Sequence, residues 1–161
     1  MSEKKVKLLA LCILCMPLVC SSQDFSPEFV RHVFLNLDMT SFPNSMGPTH
    51  YTKGTVMEKI LKSRGVYEIK KCSNNNCVQV FFPFSKDNIT SYDIKSPGWI
   101  YEFKILDVNN NNITACFSDY CNSVNCSYNI SQPLKIKKKQ DKYIVVASYT
   151  YSIKGCNFYK N

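Results

Sequence analysis

Residues 99–107, "WIYEFKILD", have an apolar side chain at every second position from 99 to 105, with Glu102 and Lys104 on the opposite side. The apolar members, which share one side of an extended chain, are Trp99, Tyr101, Phe103 and Ile105. Alternation with a period of two is typical of a β-strand that buries one face and turns the other towards water. The stretch therefore predicts a strand with its aromatic face in the core.

Further strands are predicted on both sides of this segment. The four asparagines at 109–112 favour a turn, which leads into an apolar stretch at 113–117. Residues 133–153, "PLKIKKKQDKYIVVASYTYSI", predict a hairpin that turns at Gln140 and Asp141, with unbroken alternation to Ile153. Residues 66–71 and 78–84 predict two more strands around an asparagine-rich turn, and Pro83 marks a strand end or an edge.

Two helices are predicted before the strands. In residues 25–37 apolar side chains recur at steps of three and four, with Ser26 as a cap and Pro27 in the first turn. Residues 55–64 resemble a short helix in which Thr55 and Glu58 form a capping box, although a strand is also compatible with so short a segment. The predicted fold is a β-rich α+β domain, in which N-terminal helical segments precede an antiparallel, sandwich- or barrel-like sheet.

The first residues predict export from the cell. A basic start, "MSEKKVK", precedes an apolar run and the small residues Cys20 and Ser22, which is the pattern of a secretory signal peptide over 1–22. We therefore expect a single secreted domain over 23–161. No later segment has the length of apolar sequence that a membrane-spanning helix needs.

Six cysteines remain after residue 22, and an even number in an exported chain predicts three disulfides. These cysteines are Cys72, Cys77, Cys116, Cys121, Cys126 and Cys156. Their spacing matches neither a zinc site nor a redox motif, so we expect no metal and no cofactor. The sequence leaves all pairings of the six open.

Four Asn-x-Ser/Thr triplets predict N-glycosylation of a secreted protein. The acceptors are Asn88, Asn112, Asn125 and Asn129. Bulky sugars on these residues predict that a partner binds elsewhere, on residues 24–66 or on a hairpin at 134–143 that lies away from the sugars.

A lysine-rich run is the strongest charge feature of a chain whose formal net charge is +8. Its members are Lys135, Lys137, Lys138, Lys139 and Lys142. Such a patch favours an anionic partner, for example a sulfated glycan or an acidic protein. Equally, lysines on an edge hairpin discourage aggregation between strands without binding anything. The charge gives no reason to expect nucleic acid as a partner.

Three functions are compatible with these patterns. The first is a non-enzymatic secreted protein that binds an extracellular protein, such as an immune or signalling modulator. The second is a carrier whose apolar pocket, lined by Trp99, Tyr101 and Phe103, holds a lipid or another small hydrophobic ligand. The third is a ribonuclease-like hydrolase that uses His32 and His50 as acid and base. The chain has no recognisable catalytic motif, and we favour the first function.

Overall fold

The computed structural model describes residues 25–43, 51–65, 68–73, 76–83 and 98–160. Eight strands form one mixed sheet in the order β1-β7-β6-β5-β4-β3-β2, and β8 pairs with β6. The strands are β1 (Leu37–Asp38), β2 (Glu68–Lys71), β3 (Cys77–Pro83), β4 (Gly98–Asn109), β5 (Asn112–Cys121), β6 (Asn129–Lys139), β7 (Lys142–Ser148) and β8 (Tyr159–Lys160). The predicted signal peptide lies outside the described residues.

The β-rich α+β class is observed, but the sheet is not wholly antiparallel. β1 pairs in parallel with β7, so the sheet is mixed. Among the described strands, β1 and β2 end the order and no second sheet is present, so the expectation of a sandwich or barrel is wrong for this part of the chain. Two helices on one side of the sheet cover its apolar face, which a second sheet would cover in a sandwich.

Helix α1 (Pro27–Leu35) begins where its local signals predict. The Ser26 Oγ accepts a hydrogen bond from the Phe29 backbone N–H at 3.2 Å, and proline occupies the first turn, where its missing N–H costs nothing. Val33 and Phe34 are fully buried, and the helix packs on β3 and β4. A short 3-10 helix, η1 (Met39–Ser41), follows β1.

Helix α2 (Met57–Arg64) is observed in place of the strand alternative, but its predicted capping box is absent. Val56 is the N-cap residue, and no side chain caps the helix. The Thr55 hydroxyl instead donates to the Thr52 carbonyl at 2.6 Å. The helix ends at Gly65, because this residue adopts the left-handed conformation with φ +80°.

The sheet therefore has two unlike faces, which we call the front and the back. The front carries the apolar side of each strand and meets both helices. Its core includes Phe103 on β4, Phe117 on β5 and Leu134 on β6, all at most 1% exposed. Phe103 stacks on Phe34 of α1 with 5.5 Å between ring centroids. The back carries the alternate side chains, most of them polar.

The two predicted turns are observed. Asn110, with φ 54°, joins β4 to β5, and Gln140, with φ 57°, joins β6 to β7. The predicted alternation through the second arm of the hairpin is wrong. The register shifts between Lys135 and Ile136, whose partners are Ala147 and Val145, so Val146 is an extra residue on β7. This β-bulge reverses the alternation, and the strand ends at Ser148.

All six predicted cysteines form disulfides, in three pairs. Two of them, Cys72–Cys77 and Cys121–Cys126, close short loops with a sequence separation of 5. The third, Cys116–Cys156, has a separation of 40. It attaches the segment after β7, residues 149–158, to the back of β5. We call this segment the stapled loop.

Candidate functional site

Lysines of β6 form a row on the back of the sheet. Leu134 and Ile136 are fully buried on the front, so the alternate residues Lys135, Lys137 and Lys139 lie on the back. Successive members are roughly 6.6 Å apart along the strand, because each residue advances about 3.3 Å. Lys137 and Lys139 are exposed and Lys135 is half-buried. We call these three residues the lysine row.

A cleft of about 350 Å³ lies at the end of the lysine row. It is lined by Asp38, Thr40, Ser41, Lys53, Lys139, Gln140, Lys142, Ile144 and Val145. Ile144 pairs with Lys137 across the hairpin, so the row and the cleft adjoin each other. We call this space the basic cleft, because its lining has three lysines and one aspartate.

Hydrogen bonds fix the wall of the basic cleft. The Val145 N–H donates to Ser41 Oγ at 2.8 Å, and the Gly54 N–H donates to Thr40 Oγ1 at 2.8 Å. Thr40 in turn donates from its N–H and its hydroxyl to Asp38 Oδ1, at 3.0 and 2.6 Å. These bonds tie η1 and the turn before α2 to β7, so the cleft is preformed.

Gly54 brings the turn close to β7. The Lys142 Nζ donates to the Gly54 carbonyl at 2.8 Å, and a Cβ on Gly54 would lie 3.1 Å from that nitrogen. Gly54 also has φ +85°, a conformation that costs glycine little and other residues more. Glycine at position 54 therefore allows the turn that carries Lys53 to lie close to β7.

The lysines of the row and the cleft form no ion pair with a carboxylate among the described residues. The ion pairs found among the described residues join Lys62 to Glu58 and Lys70 to Glu68, both far from the hairpin in the chain. Asp38, the acidic member of the cleft, is 8% exposed and engaged by Thr40. The cleft therefore presents positive charge to solvent.

A second exposed feature lies next to the lysine row. The Tyr149 and Tyr151 rings meet edge to face with centroids 5.5 Å apart, and Tyr151 is 59% exposed. We call these two residues the tyrosine patch. The Tyr149 N–H donates to the Pro133 carbonyl of β6 at 2.9 Å, two residues before Lys135.

The other end of the front face holds a charged cluster. Arg64 of α2 lies over the Phe82 ring at 4.9 Å, and Asp119 of β5 pairs in register with Tyr101 of β4. Burial raises the pKa of Asp119 to about 6, although the Arg64 guanidinium and a hydrogen bond from Tyr128 lower it. Burial, reinforced by the Asp119 charge, raises the pKa of Tyr101 to about 12.

Two buried oxygens of this cluster have no hydrogen-bond partner: Asp119 Oδ1 and Gln132 Oε1. Gln132 is 2% exposed and lies opposite Phe117, one diagonal step from Asp119. Such positions are within reach of each other on a sheet face. A glutamine amide has both an acceptor oxygen and an N–H donor, so it can bond either form of a carboxyl. The unpartnered oxygens therefore do not decide the protonation state of Asp119, and burial remains the main cause of its raised pKa.

The predicted aromatic pocket residues pack against other rings. Phe103 is fully buried against Phe34, and Tyr101 meets Phe82 and Phe117 with centroids 5.1 and 5.6 Å away. Trp99, half-buried, meets Tyr128 at 5.1 Å. These three residues line neither the basic cleft nor a second cleft of about 350 Å³ between α1 and the β2–β3 edge.

The glycan acceptors fall at both ends of the sheet. Asn125 and Asn129 are exposed near the Cys121–Cys126 loop, and Asn88 lies outside the described residues. Asn112 pairs directly with Lys137 across β5 and β6. The expectation that the lysine hairpin lies away from every acceptor is therefore wrong, because strand pairing brings together residues that are distant in sequence.

The remaining predictions concern catalysis and metals. His32 is exposed and its ring lies edge-on to Tyr143 at 5.9 Å, whereas His50 lies outside the described residues. One candidate metal group, Cys72, Cys77 and Glu102, brings its ligand atoms within 4.8 Å of one another. Its two sulfurs are joined in a disulfide, so they are not the thiolates that bind metals.

Sequence reasoning did not find Lys53 or Asp119. Lys53 is separated from the hairpin by more than eighty residues, and only the fold joins them in one cleft. Asp119 could have been noticed as a carboxylate at an inward position of a strand, since Phe117 and Asp119 share one face.

The chain matches no protein-family model, no curated protein and no solved structure in the comparisons. No helix among the described residues is long and apolar enough to span a membrane.

Proposed function

We propose that the protein is a secreted, N-glycosylated binding protein that engages an extracellular protein through the tyrosine patch. The exposure of Tyr151 beside Tyr149 is the observation that carries this proposal. Large aromatic side chains supply much of the energy in protein interfaces, and tyrosine tolerates exposure because its hydroxyl remains hydrated. A role as an immune or signalling modulator follows if the partner is a receptor or its ligand.

The stapled loop supports the proposal because it holds the patch in place before binding. Cys156 is bonded to Cys116, and the backbones of Ile153 and Cys156 exchange hydrogen bonds of 2.9 and 3.0 Å. The Ser152 hydroxyl accepts from the Phe158 N–H at 2.8 Å. A preorganised loop loses less conformational entropy when it binds.

The surroundings of the patch favour a partner with acidic residues around an apolar centre. Lys135 lies two residues along β6 from Pro133, to which Tyr149 is bonded, and charged residues belong at the rim of an interface rather than at its centre. Val124, fully exposed, and Tyr128 offer another apolar surface. Sugars on Asn125 and Asn129 would cover that surface, so the tyrosine patch is the better candidate.

A binding screen against an array of extracellular protein domains tests this proposal. The secreted protein is compared with the double variant Tyr149→Ser/Tyr151→Ser and with the control Val124→Ser, which changes a fully exposed apolar side chain away from the patch. We expect at least one partner whose affinity falls about tenfold or more in the first variant and less than about threefold in the control. Equal binding by all three proteins would refute the assignment of the patch.

Secretion and glycosylation are tested separately, with protein made in eukaryotic cells. We expect the mature chain to begin at Gln23 and its mass to fall on enzymatic removal of N-glycans. An intact N-terminus on the released protein, or a mass that the enzyme leaves unchanged, would contradict this part of the proposal.

A further inference from the structure

We propose that the lysine row and the basic cleft together bind a linear sulfated glycan, with the chain along the row and one end sugar in the cleft. This inference goes beyond the proposed function, because it names a different class of ligand and does not need Tyr149 or Tyr151, although the lysine row begins beside the tyrosine patch. It names the site and the occupant for the anionic partner that the lysine-rich run predicts.

The row has the geometry that a linear polyanion requires. Lys135, Lys137 and Lys139 lie on one face of a single strand, so their ammonium groups can face the same ligand. The hairpin pairs β6 with β7 up to Lys139 and Lys142, next to the turn. An extended row on a hydrogen-bonded strand fits an extended chain of anions better than it fits a single compact anion.

The basic cleft provides an end point for such a chain. Lys53 enters it from the turn before α2 and Lys142 enters it from β7, so positive charge reaches the space from separate elements. Its volume of about 350 Å³ is at the lower end of small-molecule sites, roughly 300–1,000 Å³. Seven of the nine lining residues have polar side chains, which can hydrogen-bond the hydroxyls of a sugar, and aliphatic groups supply most of the exposed lining, on which the carbon face of a sugar ring can rest.

The composition of the surface favours a glycan over a protein or a nucleic acid. Lysines are depleted in protein interfaces, and aromatic residues are enriched there. The row and the cleft contain six lysine-or-amide side chains and no aromatic ring: Lys135, Lys137, Lys139, Lys53, Lys142 and Gln140. The row and the cleft themselves therefore hold no stacking platform of the kind that single-stranded nucleic acids use, because the two tyrosine rings lie outside them, in the stapled loop.

The experiment measures binding of deglycosylated secreted protein to immobilised heparin, because a sugar on Asn112 would crowd Lys137. Fully desulfated heparin and polyglutamate serve as competing probes. The row variant is Lys137→Gln/Lys139→Gln, and the cleft variant is Lys53→Gln, which leaves the Lys142–Gly54 bond intact. The matched control is Lys59→Gln/Lys71→Gln, two exposed lysines on α2 and β2.

We expect both test variants to bind heparin less tightly than wild type at 0.15 M salt, by roughly tenfold for the row and threefold for the cleft. The slope of log affinity against log salt should fall by about one for each lysine that contacts the polyanion. The control should change less than about twofold, and neither desulfated heparin nor polyglutamate should displace the protein.

Each other outcome would overturn the proposal. If the control variant lost as much heparin affinity as the test variants, binding would depend on net charge alone. If Lys53→Gln bound heparin as tightly as wild type, the cleft would have no part in the site. Efficient competition by polyglutamate would show that the site does not select a sulfated sugar. Thermal unfolding of every variant excludes loss of the fold as the cause.

Discussion

The front and back faces of the sheet are built from the same strands but hold the protein together in different ways. The front buries Phe34, Phe103, Phe117 and their neighbours under two helices, and packing stabilises it. The back carries lysines, serines and the stapled loop, which a covalent bond attaches at Cys116. The difference teaches that one sheet can combine two kinds of stabilisation, apolar packing on the front and a covalent bond on the back, where many side chains are polar.

The largest effect is expected from a cavity in the front. Phe103→Ala should lower the free energy of unfolding by about 3–5 kcal/mol, because this fully buried ring stacks on Phe34. Urea denaturation measures the change. A loss below about 1 kcal/mol would mean that the front is not the stabilising face.

The back should lose stability only when its covalent attachment is removed. In the chain-entropy model, Cys116→Ser/Cys156→Ser costs about 4 kcal/mol and Cys121→Ser/Cys126→Ser about 2 kcal/mol, because the closed loops have sequence separations of 40 and 5. Denaturation of both variants measures the difference. Equal losses would show that the loop lengths do not govern stability.

Asp119 is the exception on the front, and its effect should depend on pH. Burial raises its pKa in the folded protein to about 6, above the unfolded value, so the folded state binds the proton more tightly. Stability from this group is therefore present below about pH 4 and is lost as pH rises through about 6.

Asp119→Asn should flatten that dependence and, at pH 7, stabilise the fold by roughly 1–2 kcal/mol, because the amide carries no charge to bury. Unfolding curves between pH 4 and 7 test this, with the exposed Asp141→Asn as control. A steeper fall in stability with rising pH in the Asp119 variant would contradict the burial argument.

The smallest effect is expected on the exposed part of the back. Lys137→Ala should change the free energy of unfolding by less than about 0.5 kcal/mol, because its side chain is exposed and has no ion pair among the described residues. Thermal denaturation checks this value. A loss above 1 kcal/mol would assign the lysine a structural role.

Sequence patterns predicted the elements well where the period was regular. Alternation at 99–105, the asparagine turn and the Ser26-Pro27 helix start depend on local physics, so local sequence reveals them. The parallel pairing of β1 with β7 depends on residues that are distant in the chain. Val146 shows a second limit, because no local residue signals that its bulge would reverse the alternation.

The candidate site was only partly predictable for the same reason. The lysine run is visible in the sequence, but the cleft needs Lys53 and η1, which the fold brings to the hairpin. The pairing of Asn112 with Lys137 was likewise hidden, because register is a property of two strands and not of one segment.

The parallel β1–β7 pair imposes an order on folding during synthesis. The Val145 N–H donates to Ser41 Oγ across a sequence separation of 104. The β1 edge of the sheet therefore cannot form until β7 has been synthesised. Contacts of such long range slow folding, so this edge of the sheet closes later than the local hairpins. If the chain is exported and glycosylated as proposed, enzymes that add sugars would meet Asn112, Asn125 and Asn129 before the sheet is complete.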